Sequence, residues 1–108
     1  MPINWQDFID GLKDEAGILA KNELKSLITD SKKDSEVFIK RQSEKLEMYL
    51  SQLAESKITK EQFQGYAQDI KDLTEIQALK LSVGAKARAQ RFAEQLGKLV
   101  LDSLIKLI

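Results

Sequence analysis

The chain is predicted to be all-α. Its only proline is Pro2, so nothing after it forbids helix. Apolar residues recur at helical spacing along nearly all of the 108 residues, and runs of strand type are missing. The composition is that of a long-helix protein, rich in Ala, Leu, Glu, Lys and Gln.

The first element is arm one, read from Asn4 as N-cap to Ala54. Its apolar stripe runs Trp5, Phe8, Ile9, Leu12, Ala16, Leu19, Ala20, Leu24, Leu27 and Ile28. A polar patch follows from Thr29 to Glu36. The stripe resumes at Val37 and Phe38 and ends with Leu46, Tyr49, Leu50 and Leu53.

The turn at 55–59 is the clearest local signal. Thr59 stands as N-cap with Gln62 three residues on, a capping box. Ile58 before the cap and Phe63 after it form a hydrophobic staple. A link this short joins antiparallel neighbours. It sets Tyr49 and Tyr66 facing each other.

Arm two, 60–108, carries Phe63, Tyr66, Ala67, Ile70, Leu73, Ile76, Leu81, Phe92 and Leu96. Each arm has one weak point: Asp30 to Ser35 in arm one, Ser82-Val83-Gly84 in arm two. Continuous arms give an antiparallel helical hairpin about 75 Å long. Arms that fold back give a compact up-down four-helix bundle. The hairpin is the preferred reading. No side-chain cap is visible in Ala85-Lys86-Ala87-Arg88, and one glycine inside a helix costs only about 1 kcal/mol. On either reading residues 1–108 form a single helical domain.

The C-terminal segment carries the functional expectation. From Leu99 to Ile108 seven of ten residues are large aliphatics. On an α-helical wheel the apolar residues of 88–108 spread over roughly 240°, and one neighbouring helix covers about 100°. Leaving several Leu or Ile side chains in water forfeits about 1.5–3 kcal/mol each, against a total stability of about 5–15 kcal/mol. A second copy of the chain is the expected cover, giving a homo-oligomer or filament. The expected contacts are Phe92, Leu96, Val100, Leu101, Leu104, Ile105 and Ile108. Ala85, Ala89 and Ala93 would permit close helix approach.

Charge points to a second possibility. Acids and bases balance at 17 each, but residues 80–108 hold six bases and two acids. Arg88, Arg91, Lys98 and Lys106 fall on one side of the helical wheel. They are candidates for contact with an anionic membrane or an acidic partner. In the hairpin they would face Asp7, Asp10, Asp14, Glu15 and Glu23. A helical adaptor that binds a protein partner is the third reading.

Enzymatic function is not expected. Histidine and cysteine are absent, which removes the commonest general base, thiolate chemistry and zinc–thiolate sites. The clusters Asp69, Asp72, Glu75 and Glu44, Glu47 read as solvated helix faces. The glycines form no phosphate loop. No catalytic residue, cofactor, metal, nucleic acid or small-molecule substrate is therefore expected. Met1 to Asp7 show no signal-peptide pattern and no stretch is long enough to span a membrane, so the expected location is the cytoplasm. Export by a route without an N-terminal mark stays open.

Overall fold

The computed structural model describes residues 4–13 and 19–108. Among these, five helices and no strand are found. They are α1 (Trp5–Asp10), α2 (Lys21–Lys32), α3 (Val37–Ala54), α4 (Lys60–Ala78) and α5 (Val83–Leu96). The last continues without a break through a π-helical segment, Gly97–Leu104, into a final turn, Ile105–Leu107.

The turn between α3 and α4 forms as its residues dictate. Thr59 Oγ1 accepts from the Gln62 amide at 3.1 Å, and Gln62 Oε1 accepts from the Thr59 amide at 2.9 Å. Phe63 is fully buried and Ile58 packs against the same core. Tyr49 and Tyr66 stack with ring centroids 4.4 Å apart. The end of α3 is closed by a Schellman pair: Lys57 N–H to Gln52 O at 2.8 Å and Ser56 N–H to Leu53 O at 3.0 Å. Ser56 takes the left-handed position this requires, with φ of 61°.

The long hairpin is not what forms. Both arms fold back, at 33–36 and at 79–82, and the molecule measures 39 × 29 × 23 Å. In arm one, Asp34 Oδ1 accepts from the Glu36 amide at 2.8 Å, and the Glu36 side chain accepts from the Phe38 amide. The polar patch thus supplies its own turn and its own cap. In arm two the break falls before Gly84. Ser82 holds the extended N-cap backbone with no side-chain bond, and its carbonyl accepts from Lys86 N–H at 2.7 Å. The helix start expected to be missing is made by backbone alone.

Arm one breaks once more, after Asp10. Asn4 caps α1 as expected, accepting from the Gln6 amide at 2.7 Å. Gly11 ends it, and the Lys21 ammonium bonds to the carbonyls of Asp10 and Leu12. A cation is favourable at a helix C-terminus. Lys25 pairs with Asp10 at 2.8 Å. The expected stripe residue Ala16, and the acids Asp14 and Glu15, lie outside the described residues.

Helices α2 to α5 pack in sequence as antiparallel neighbours, and α2 also meets α5, which closes the ring. The core holds Leu24 and Ile28 from α2, Leu46 and Leu50 from α3, Phe63, Ala67 and Ile70 from α4, and Phe92 and Leu96 from α5. Helix α1 adds Trp5 and Ile9. Its indole N–H donates to Glu47 Oε2 at 3.1 Å, and Lys32 meets the same carboxylate at 2.9 Å. One acid on α3 therefore holds both α1 and α2.

The π segment explains how so broad an apolar surface is covered. Its bonds run from residue i+5 to residue i, as from Ile105 N–H to Val100 O, so each turn takes an extra residue. With more residues per turn, Leu99, Val100, Leu104 and Ile105 fall closer together around the helix axis than they would at α-helical pitch. All four are buried. Residues that an α-helical wheel disperses are gathered on one side. Ser103, caught on that side, donates its hydroxyl to Lys98 O at 2.9 Å.

Candidate interaction surfaces

The C-terminal residues expected to mediate self-association are placed in the chain's own core. Ala85, Ala89, Phe92, Ala93, Leu96, Val100, Leu104 and Ile105 are buried. Leu101 and Ile108 are half-buried and pack against the same cluster. Ala89 meets Ile39 and Ala78 in a smaller cluster beside Leu81, so the small residues do allow close helix approach, within one chain.

The four bases expected to act together are separated. Arg88 donates to Asp34 on the α2–α3 turn, Nε to Oδ2 at 2.9 Å and an Nη to Oδ1 at 3.2 Å. Burial pushes the Asp34 carboxyl up, but Arg88 and the Glu36 amide outweigh it and hold the pKa below the ordinary carboxylate value. Arg91 and Lys98 lie along the seam between α2 and the C-terminal helix. Lys106 is exposed in the final turn, 18 residues on from Arg88 and beyond the π-helical segment.

A different surface comes together at the end of the bundle that carries the α2–α3 and α4–α5 turns. The Arg88–Asp34 pair and the Ile39–Ala78–Ala89 cluster tie those two turns side by side. Large apolar side chains project from them. Val83 is 88% exposed, Leu79 70%, Ile76 58% and Val37 56%. Elsewhere among the described residues only Met48 and Leu73 are large, apolar and exposed.

Bases surround these apolar tips. Residues 30–41 and 75–88 carry seven bases against four acids. Two of the acids are engaged, Asp34 by Arg88 and Glu75 by Lys71 at 2.6 Å. The Glu75 carboxylate also raises the Lys71 pKa above its ordinary value. Lys33, Lys40, Lys80 and Lys86 have no ion pair among the described residues.

Sequence reading passed over this surface because Ile76, Leu79 and Val83 sit at helical spacings that suit a continuous arm. The signal available was Ser82 in cap position, which makes Leu79-Lys80-Leu81 a turn with two large apolar residues.

Among the described residues no group of three or more potential metal ligands is present, and no helix is long and apolar enough to cross a membrane. No family model, no curated protein and no solved structure matches the chain.

Proposed function

We propose that this is a non-enzymatic helical protein that docks on an anionic membrane surface through its turn end. The observation that carries this reading is the projection of Val83, Leu79, Ile76 and Val37 from an end rich in unpaired lysines. Exposed apolar groups in that number mark an interaction surface. They are too few to span a bilayer but suited to entering its interfacial layer, as interfacial helices do. Lysines near an anionic surface contribute about 1 kcal/mol each.

The charge distribution favours a membrane over a second copy. Two chains set turn end to turn end bring the same lysines together, and like charges repel. An anionic bilayer neutralises them.

Co-sedimentation with vesicles tests the reading. Vesicles of phosphatidylserine mixed equally with phosphatidylcholine are expected to carry the protein down, and vesicles of phosphatidylcholine alone are not. Replacing Lys80 and Lys86 together by Gln is expected to weaken binding roughly thirtyfold, at about 1 kcal/mol per lysine. The pair Leu79→Ser and Val83→Ser removes the inserting groups and is expected to abolish it. Both positions are exposed, so the fold is retained. Equal binding to both kinds of vesicle, or none to either, overturns the proposal.

A further inference from the structure

On the side of the bundle, next to the turn end, α2 packs against α5 along a seam that is only partly closed. Residues of both signs line it from the two helices. Arg88 holds Asp34, Asp30 and Arg91 line the same cavity, and Glu23 and Lys98 line the next stretch of the seam. The first pair is closed at 2.9 Å. Asp30 and Arg91, one turn along, form no ion pair with each other or with any other described residue. Both line a cavity of about 240 Å³, beside the closed Asp34–Arg88 pair, and its apolar lining is Leu27, Ile39 and Phe92. Ile39 and Phe92 are buried to within 2%.

We propose that this cavity binds a free α-amino acid with a large apolar side chain, its carboxylate on Arg91 and its ammonium on Asp30. The side chain would lie against Leu27 and Phe92. Each part of the ligand follows from one part of the wall. A guanidinium offers a planar fork of donors that matches a carboxylate in two parallel bonds. A carboxylate opposite it accepts from an ammonium. A ligand that carries only an anion meets Asp30 as a like charge, and one that carries only a cation meets Arg91. The site therefore selects against both single-charge analogues as well as for the dipolar ion. The cavity lies below the roughly 300–1,000 Å³ of drug-sized pockets, which restricts the ligand to a small molecule. Serine and glutamine side chains at the rim, Ser31 and Gln95, add further hydrogen-bonding capacity. Nothing in this proposal depends on the membrane reading, which rests on the exposed side chains of Val37, Ile76, Leu79 and Val83 and not on the cavity.

Titration with L-phenylalanine, followed by amide proton and nitrogen shifts in the full chain, tests it. Saturable shifts are expected at Asp30, Ser31, Arg91 and Phe92. Hydrocinnamate, which lacks the amine, and phenethylamine, which lacks the carboxylate, are each expected to bind roughly tenfold more weakly, the loss of one charge-assisted bond. Arg91→Gln and Asp30→Asn are expected to cost about the same. Arg91→Gln should also bring phenylalanine and phenethylamine to similar affinity, a result that a merely structural role for Arg91 would not produce. Both positions are exposed, and the amide spectrum of each unliganded variant verifies its fold. Shifts that do not saturate, that map elsewhere, or that are unchanged in both variants overturn the proposal. So does hydrocinnamate or phenethylamine binding as well as phenylalanine.

Discussion

Arg88 grips Asp34 through two hydrogen bonds across 54 residues of sequence. The pair joins the α2–α3 turn to the start of α5 and sets the two turns at one end of the molecule.

Its pH dependence follows from the direction of the Asp34 shift. Burial raises the carboxyl pKa, and Arg88 with the Glu36 amide lowers it further than burial raises it, so the folded value lies below the ordinary 3.8. A carboxylate whose folded pKa is depressed contributes stability that is fully present above the unfolded value. The contribution is lost as pH falls through the folded one. Asp34→Asn is therefore expected to lower the melting temperature at neutral pH. The gap to the unaltered protein should narrow at pH values below 3.8. A gap of constant size across that range would mean that the ionised carboxylate is not the source of the effect.

Leu104 tests whether the C-terminal helix serves as internal core. It is fully buried within the chain. Leu104→Ala is expected to cost about 2–5 kcal/mol in urea unfolding, the range for a buried leucine. Leu101→Ala, at a half-buried position, should cost less. If the segment served mainly as an intermolecular contact, Leu104→Ala would alter molecular size with little change in the unfolding of a dilute sample.

The all-helical character, the α3–α4 turn with its capping box, the Tyr49–Tyr66 contact and the Asn4 cap were all legible from local residue chemistry. The two weak points were legible too, and the fold-back was kept as the alternative; that the arms break there, and how the C-terminal segment is covered, were not, for two physical reasons. Ser82 starts α5 with its backbone and no side-chain bond, so a search for caps passes over it. The π segment changes the residue repeat, so a wheel drawn at α-helical pitch misplaces Leu99, Val100, Leu104 and Ile105. From that wheel the segment looked too broadly apolar for one chain to cover. The turn-end surface was hidden by the same step, since it exists only once the arms fold back.

Ser56 occupies a left-handed backbone position that glycine adopts without steric cost. Ser56→Gly is expected to stabilise the protein by about 1 kcal/mol, the scale of the left-handed penalty for a residue with a Cβ. Urea unfolding measures it. No gain would mean that the flexibility glycine adds to the unfolded chain offsets the relief.

Glu47 joins three helices through Trp5 and Lys32. Glu47→Ala is expected to cost about 1–3 kcal/mol by stranding the indole N–H and the ammonium. Trp5 is the sole tryptophan, so its fluorescence reports the change directly. Quenching by acrylamide should rise in the variant as α1 loosens from α3.

Sedimentation equilibrium in lipid-free buffer, over a wide range of protein concentration, asks whether the folded-back chain supplies its own cover. The mass of a single chain at every concentration is the predicted result, because the C-terminal helix is covered internally and the turn-end lysines oppose self-contact. A mass that climbs with concentration, and returns to that of one chain when Leu101 and Ile108 are replaced by Ser, would contradict it.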